Sequence, residues 1–242
     1  MDEKAASRNH PESCVLFGIE TSFAADYLDT LERLGTKVTA GILTNPPQWS
    51  LRGVPVVLHP EEISPLLLEN PVALCLIMPK QREESHRRAV SLGFTSFVSV
   101  IDPTAIVPSG IYAGRGLFIN ANATLGAEAE LDDFVTVNRA VSIGHHTAIE
   151  AFSTIGPGVT IASQCVVGKR VMIGAGAVIA PSVKIGEDAT VAAGAVVFRD
   201  VEAGMTVLGN PARVAKPGKD ELVEQRGIEP LTSALRTPRS PN

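Results

Sequence analysis

Two adjacent histidines, His145 and His146, are the residues of this sequence best suited to acid–base chemistry. An unperturbed imidazole loses its proton near about pH 6.5, so a histidine can accept a proton from a substrate at neutral pH. The remaining histidines, His10, His59 and His86, are scattered through the N-terminal part of the chain. The pair therefore suggests a general base, and the alternative is two solvated side chains at a turn.

A zinc site is the second chemistry that histidines suggest. Zinc is usually held by three or more protein ligands, whereas the second half of this sequence has only the adjacent pair, and neighbouring residues seldom face one ion. The cysteines, Cys14, Cys75 and Cys165, are an odd and scattered set without a CxxC pair. We therefore expect no metal, no disulfide framework and a reducing compartment.

The elements that must position the histidines follow from a six-residue period. When the chain is cut into sixes from Leu117, the third residue is aliphatic in fourteen consecutive hexads. Neither a helix nor simple strand alternation keeps one face apolar at a spacing of six. The period predicts a left-handed parallel β-helix in which three hexads make one coil. The aliphatic positions are Ile119, Leu125, Leu131, Val137, Ile143, Ile149, Ile155, Ile161, Val167, Ile173, Ile179, Ile185, Val191 and Val197.

Residues eighteen positions apart should stack in such a coil. One predicted column consists of Ile143, Ile161, Ile179 and Val197. The period also extends backwards to Val107, which gives about five coils over residues 107–200. His145 and His146 directly follow the Ile143-Gly144 step, so we expect them at a corner between two strands and not in the core.

Residues 13–102 lack this period and alternate strands with helices. Predicted strands cover 14–19, 37–43, 54–58, 73–78 and 96–100, and predicted helices cover 23–34, capped by Ser22, and 81–92. This order predicts a small, mostly parallel, Rossmann-like α/β domain. We expect the β-helix domain to span 103–216, after a hinge at residues 101–103, and 217–242 to be a disordered tail.

Composition and charge narrow the function classes. The chain has 242 residues, 21 Lys and Arg against 26 Asp and Glu, and a formal charge of −5. A general nucleic-acid binder needs clustered basic charge, so that class is disfavoured. No secretory signal and no membrane span is visible in the sequence, so we expect a cytoplasmic protein that binds neither nucleic acid nor membrane.

Several features of the chain occur together. They are the N-terminal α/β domain, the Asp102-Pro103 linker, the hexad segment VNRAVSIGHH and the ending VLGNPARV. In this combination the chain resembles the bacterial hexapeptide-repeat sugar O- and N-acyltransferases. That family includes sialic acid O-acetyltransferases and UDP-4-amino-sugar N-acetyltransferases. The resemblance covers about residues 14–216, and the Asn138-x6-His145 spacing makes it more specific than the repeat alone.

The resemblance implies an acetyl-CoA-dependent acyltransferase acting on a sugar or nucleotide sugar. His145 would be the general base that takes a proton from the acceptor amine or hydroxyl as it attacks the thioester. Asn138 would lie near the acceptor, although a turn residue that tolerates left-handed angles is an equal alternative. The loop at Gly18 would bind the nucleotide part of the acceptor.

The resemblance also implies a homotrimer, with CoA in the groove between neighbouring β-helices. Contacts to CoA carry over to Thr154, Ala175 and Ala193, and the two alanines would contribute their backbone. Small residues required by a tight coil are the alternative explanation for these positions. Arg213 and Lys216 could meet the CoA phosphates, or they could simply be solvated.

The chain departs from the family pattern in two places. The residue after the base is usually acidic in the family, whereas here it is His146, which would make the site less basic. Glu150 and Asp133 are the candidates for replacing the missing carboxylate. In the loop after the first strand only Gly18 remains of a glycine-rich motif, and Glu20 brings a negative charge where a phosphate would approach a helix N-terminus.

Two other function classes stay open at this point. One is a zinc enzyme of the γ-carbonic anhydrase type, which shares the hexapeptide β-helix. The other is a non-catalytic binding or assembly protein that retains the fold without the chemistry, which the altered Gly18 loop and His146 would permit.

Overall fold

The computed structural model describes residues 10–45 and 53–215, and its N-terminal part alternates strands with helices. The strands are β1 (Ser13–Phe17), β2 (Lys37–Ile42), β3 (Val57–Leu58) and β4 (Val72–Leu74), and the helices are α1 (Ala24–Leu34), α2 (Pro65–Leu68) and α3 (Pro79–Leu92), with a 3₁₀ turn at Pro60–Glu62. The described strands pair in parallel in the order β3-β2-β1-β4. The predicted parallel α/β domain is therefore confirmed.

Local sequence explains where these elements begin and end. The apolar run of β1 is buried on both faces because the strand lies inside the sheet, between β2 and β4. Helix α1 begins after Phe23 and not after Ser22, whose side chain makes no capping hydrogen bond. It ends at Gly35, where φ is 72° and a side chain would be strained. Helix α2 was not predicted, because four residues are too short to show a helical period.

The rest of the described chain winds into a left-handed parallel β-helix with three faces, as the hexad period predicts. Face 1 consists of β5 (Val100–Ile101), β7 (Phe118–Ile119), β10 (Thr136–Val137), β13 (Thr154–Ile155), β16 (Met172–Ile173), β19 (Thr190–Val191), β21 (Thr206–Leu208) and β22 (Arg213–Val214). Face 2 consists of β8 (Thr124–Leu125), β11 (Ser142–Ile143), β14 (Thr160–Ile161), β17 (Val178–Ile179) and β20 (Val196–Val197). Face 3 consists of β6 (Tyr112–Ala113), β9 (Glu130–Leu131), β12 (Ala148–Ile149), β15 (Val166–Val167) and β18 (Lys184–Ile185).

The aliphatic columns stack as the sequence predicts. Ile143 pairs with Ile161, Ile161 with Ile179, and Ile179 with Val197, each along face 2 and each fully inside the coil. Burial of these side chains in one continuous core stabilises the coils, because no single hexad can cover its own apolar residue.

The faces are joined at three corners, which we name by the faces they connect, as corner 1–2, corner 2–3 and corner 3–1. One residue at each turn adopts a left-handed conformation, which favours Gly, Asn and Asp but is also taken by other residues here. Glu128 and His146 hold this position in successive coils of corner 2–3, with φ of 58° and 56°.

The predicted strand over residues 96–100 is wrong as an element of the N-terminal sheet. Phe97 makes only a single bridge with Val72, and the regular strand is β5, which pairs with β7 on face 1. The first coil therefore begins at Val100, and the proposed hinge at Asp102 lies inside it. The backbone N–H of Asp102 donates to Ile119 O at 2.8 Å, which fixes the segment to the next coil.

The N-terminal domain packs on the early coils of face 1. Tyr27 of α1 stacks on Phe118 of β7, with ring centroids 3.9 Å apart. Arg82 of α3 is buried between the domains, and its guanidinium donates to the carbonyl oxygens of Phe134 and Phe152 at corner 3–1. Faces 2 and 3 carry no such cover within the described chain.

Candidate active site

The two histidines lie at corner 2–3, between β11 and β12, and both side chains are exposed. Their backbone is held from both neighbouring coils. The N–H of His146 donates to Ala127 O at 3.1 Å, and His145 O accepts from Gln164 N at 3.0 Å. The expected corner position is therefore what the structure shows.

Two glycines that each follow an aliphatic core residue, Gly126 and Gly144, let successive coils approach closely at corner 2–3. A Cβ on Gly126 would lie 2.5 Å from the backbone nitrogen of His145, and a Cβ on Gly144 would lie 2.5 Å from Ser163 N. Real Cβ atoms do not approach backbone so closely, so any larger residue at Gly126 must displace the turn that carries His145. The repeated Ile-Gly step thus positions the histidines as well as closing the coil.

The imidazoles contact each other and a carboxylate from the preceding coil. The Nδ1 atoms of His145 and His146 lie 2.9 Å apart. Nε2 of His146 lies 2.7 Å from Oε2 of Glu128, which is eighteen residues earlier and occupies the same position of its turn. The side chains of His146 and Glu128 are 55% and 72% exposed, so solvent and a substrate can reach the group.

The carboxylates that sequence suggested as partners of the base lie elsewhere. Glu150 accepts from the backbone of Lys169 at 3.1 Å, and Asp133 accepts from the backbone of Arg115 at 2.9 Å and pairs with its guanidinium. Both belong to corner 3–1 and not to corner 2–3. The prediction of Glu150 or Asp133 is therefore wrong, because the carboxylate near the pair comes from the coil before. Counting back one coil of eighteen residues from His146 would have found Glu128.

Asn138 lies at corner 1–2 of the same coil, one face away from His145. Its Oδ1 accepts from the backbone N–H of Arg139 at 2.7 Å and from Asn120 Nδ2 at 3.3 Å. Asn120 in turn donates to Asp26 of α1 at 3.3 Å. The structure therefore gives Asn138 a turn-stabilising role, and it does not bring this side chain together with His145 within one chain.

Thr154 cannot contact CoA as the resemblance implied. Its side chain is fully buried beneath the N-terminal domain, where the hydroxyl accepts from Arg82 Nη2 at 2.9 Å and donates to Ile77 O at 2.7 Å. The repeat pattern distinguishes inward from outward residues, but it does not tell which outward face another domain covers. This prediction is wrong for that reason.

Ala175 and Ala193 also lie at corner 1–2, in later coils that the N-terminal domain leaves uncovered, and Ala193 is exposed. Their backbone N–H groups have no acceptor among the described residues. At the equivalent position of an earlier coil, the N–H of Arg139 donates to the side chain of Asn138. The equivalent residue of the next coil is Pro157, which has no N–H. Ala175 and Ala193 therefore have backbone donors that no acceptor of the described chain occupies.

The loop after β1 differs from a phosphate-binding loop. Gly18 has φ of 82°, where a side chain would be strained, and a Cβ there would also meet Leu76 Cδ1 at 2.5 Å, so the local structure alone favours glycine. Glu20 is buried and turned inside the domain, where it accepts from the backbone N–H of Thr44 at 3.2 Å and from Asn45 Nδ2 at 3.1 Å. The carboxylate thus joins this loop to the end of β2, and it is not free to meet a ligand.

The remaining candidates are peripheral. Arg213 is exposed on β22, and its Nη1 donates only to the neighbouring Ala212 O, at 3.0 Å. Lys216 and the tail over 217–242 lie outside the described residues. Within residues 10–45 and 53–215, no group of three His, Cys, Asp or Glu side chains is arranged to hold a metal ion. No helix in that same part of the chain has the length and apolar character needed to cross a membrane.

Comparison with known families identifies the repeat. A family model described as bacterial transferase hexapeptide (six repeats) matches residues 164–199, which lie in the later coils. A comparison with curated proteins finds no match.

Solved structures are similar over most of the chain. A histidine-to-alanine mutant of GDP-perosamine N-acetyltransferase from Caulobacter crescentus, in complex with CoA and GDP-perosamine, is 25% identical with a TM-score of 0.76, and the match covers 86% of this chain and 98% of that one. The acetyltransferase domain of PglB from Neisseria gonorrhoeae, in complex with acetyl coenzyme A, is 27% identical with a TM-score of 0.76, over 85% of this chain and 100% of that one. WeeI from Acinetobacter baumannii, at 23% identity and a TM-score of 0.69 over 84% and 100% of the chains, shares the fold.

These similarities extend through both the α/β domain and the β-helix, so they concern the arrangement of the whole molecule and not the repeat alone. They confirm the predicted resemblance to the hexapeptide-repeat sugar acyltransferases, and the likeness to these acetyltransferases over both domains identifies the chain as an acyltransferase.

Proposed function

We propose that the protein transfers the acetyl group of acetyl-CoA to an amine or hydroxyl of a nucleotide sugar, with His145 as the general base. The observation that carries this proposal is the exposed imidazole of His145, whose Nδ1 is engaged by His146 while Nε2 has no partner among the described residues. The relatives that contain CoA with GDP-perosamine, or acetyl coenzyme A, support the two substrates.

The chemistry follows from a histidine with one free ring nitrogen. The acceptor nitrogen or oxygen attacks the carbonyl carbon of the thioester, and Nε2 of His145 takes the proton that the nucleophile loses. The carbon–sulfur bond then breaks, and the proton passes from His145 to the departing CoA sulfur. The products are the acetylated acceptor and free CoA, and the step needs no other reactant.

The later coils of corner 1–2 fit the amide-rich arm of CoA. The N–H groups of Ala175 and Ala193, which have no acceptor in the described chain, would suit the carbonyl oxygens of that arm, and their small side chains leave room for it. The bound thioester would thus be held by backbone donors that do not have to reorganise during the reaction.

A site built from these parts requires more than one chain. His145 lies at corner 2–3 and Ala193 at corner 1–2 three coils later. The width of face 2, roughly 17 Å at about 3.3 Å for each of five residues, therefore separates them across the coil, and the offset along the axis adds to it. We propose a homotrimer in which corner 2–3 of one subunit meets corner 1–2 of its neighbour. The small, uncharged outward residues Thr124, Ser142 and Thr160 on face 2 suit such packing.

We further propose that the protein works in the cytoplasm. Its cysteines Cys14, Cys75 and Cys165 are all free and buried, which fits a reducing compartment.

The test is the release of CoA thiol from acetyl-CoA with a panel of acceptors. The panel contains UDP-, dTDP- and GDP-linked 4-amino sugars, sialic acid and serine, and each is assayed with wild type, His145→Ala and the control His59→Ala. His59 is exposed in the N-terminal domain, far along the chain from corner 2–3. We expect wild type to release CoA thiol with one nucleotide-linked amino sugar. The His59→Ala variant should release it at the same rate, and the His145→Ala variant should not release it.

Other results would support the alternatives. Binding of acetyl-CoA with no release on any acceptor would favour a non-catalytic β-helix protein. Stoichiometric zinc in the purified protein, with activity lost on chelation, would favour the metalloenzyme class.

A further inference from the structure

We infer that Glu128 is a positioning residue for the reaction: it acts through His146 to hold His145 in the tautomer that a general base requires. This rests on the proposed function, and it adds a residue from the preceding coil that sequence did not single out. The geometry is the chain of contacts from Glu128 Oε2 to His146 Nε2, at 2.7 Å, and from His146 Nδ1 to His145 Nδ1, at 2.9 Å.

The hydrogen positions in this chain follow from the carboxylate. An ionised carboxylate only accepts hydrogen bonds, so Nε2 of His146 must carry the hydrogen that faces Glu128. In a neutral imidazole the other nitrogen is then an acceptor, so Nδ1 of His146 accepts. The contact at 2.9 Å therefore requires the hydrogen on Nδ1 of His145, which leaves the lone pair on Nε2 of His145.

Without the carboxylate of Glu128, nothing fixes which ring nitrogens of His145 and His146 carry the hydrogens. If His146 carried its hydrogen on Nδ1, it would donate to His145, whose own hydrogen would then sit on Nε2 and block proton acceptance. Glu128 thus decides between a competent base and an incompetent one.

The same contacts stabilise the base after it has taken a proton. Protonated His145 keeps Nδ1–H directed at His146, and the negative charge of Glu128 lies at the far end of the chain. A nearby opposite charge favours the charged form of an imidazole. His146 therefore transmits the effect of a carboxylate where the resembling family places an acidic residue directly after the base.

Among the described residues around the histidine pair, Glu128 is the carboxylate that contacts His146. The equivalent turn residues of the next coils, Gln164 and Ser182, are uncharged and hydrogen bonded to each other at 3.4 Å. Glu130 lies two residues away on β9, is exposed, and makes no ion pair in the described chain. It provides a matched control, with the same side chain in the same coil.

The first test compares Glu128→Gln with Glu130→Gln in the full-length protein. Glutamine can turn its amide toward His146 and reverse the hydrogen order, so we expect kcat to fall about tenfold to hundredfold in Glu128→Gln, with an unchanged melting temperature. Glu130→Gln should match wild type in both.

A rescue variant separates positioning from a general effect on the turn. His146→Asp puts a carboxylate directly beside His145 and is tolerated at a left-handed residue. In that background Glu128→Gln should have no effect on kcat. A fall equal to that seen in the wild-type background would overturn the inference.

A measurement without substrate keeps this inference distinct from the proposed function. The ¹⁵N shifts of the histidine ring nitrogens, assigned with His145→Gln and His146→Asn, report which nitrogen carries the hydrogen. We expect hydrogen on Nδ1 of His145 in wild type near pH 8, and a mixed population in Glu128→Gln. Hydrogen on Nε2 of wild-type His145, or spectra unchanged by Glu128→Gln, would overturn it even if the protein is a transferase.

Discussion

Arg82 of the α/β domain holds Thr154 of the β-helix, with Nη2 donating to the threonine hydroxyl at 2.9 Å. The guanidinium is buried and has no carboxylate partner among the described residues. Its acceptors are that hydroxyl and the carbonyl oxygens of Leu76, Ile77, Phe134, Phe152 and Ser153. Burial lowers the pKa of Arg82 to about 10, so it remains charged at neutral pH. Arg82 thus supplies a cluster of buried hydrogen bonds between the two domains, beside the stacking of Tyr27 on Phe118.

Replacement of Arg82 by methionine should destabilise the protein by about 3–5 kcal/mol, because several buried carbonyl oxygens lose their donor together. Urea unfolding measures this directly. Arg87→Met is the control, since Arg87 is exposed on the same helix, and it should change the free energy of unfolding by less than about 0.5 kcal/mol. Equal stability of the two variants would show that Arg82 does not hold the domains together.

The glycine above the histidine turn should be intolerant of a side chain. In Gly126→Ala the new Cβ would lie 2.5 Å from His145 N, so the turn must shift, at a cost of about 1–3 kcal/mol and with loss of activity. Gly158→Asn is the control. Gly158 has a left-handed backbone, as Asn122 has at the equivalent turn two coils earlier, and a Cβ at Gly158 would meet no atom within 4 Å. Thermal unfolding and CoA release measure both effects. Full activity of Gly126→Ala would contradict the positioning of His145 by close coil approach.

His86 should make stability depend on pH. Its ring packs among Phe97, Phe134 and Phe152, its Nε2 is buried without a partner, and burial followed by Arg115 lowers its pKa, opposed in part by Asp133 and Glu83. The neutral form is favoured in the folded state, so the stability it contributes is fully present above about pH 6.5 and is lost as the pH falls below it.

The measurement is the free energy of unfolding between pH 7.5 and pH 5, for wild type and His86→Gln. We expect a smaller decrease in the variant, whatever its stability at pH 7.5. The His59→Gln variant controls for an exposed histidine and should follow the wild-type slope. Parallel curves for wild type and His86→Gln would rule out this contribution.

Two inactive variants should complement each other if the site is shared between subunits. His145→Gln removes the base at corner 2–3, and Ala193→Trp fills the proposed CoA site at corner 1–2. Trimers refolded from a mixture contain some junctions with both corners intact, so part of the wild-type activity should return. Refolded homotrimers of either variant are the controls. No recovery in mixtures that contain verified heterotrimers would place the whole site within one chain.

The sequence predicts the coil well because its core obeys a strict rule. Ile143 and Ile161 must stack inside a narrow interior, and nothing in the N-terminal domain alters that requirement. The same period also places His145 at a corner, since every hexad must turn after its glycine.

The outward residues are harder to predict, because their roles depend on what packs against them. Thr154 has the same pattern as exposed threonines such as Thr160, yet α3 covers it. Nothing in the sequence indicates that Arg82 is buried, because charged side chains usually lie at the surface. Glu128 could be predicted only after the coil length was known, as the residue one coil before His146.

The central claim is tested most directly by kcat/KM for acetyl transfer in His145→Gln, with the acceptor found in the panel and the acetylated product identified by mass. We predict a loss of at least about a hundredfold, with acetyl-CoA affinity and melting temperature unchanged, because a general base contributes about 10²–10⁴ in rate. Retention of kcat/KM within about twofold of His59→Gln would contradict the assignment of His145 as the base.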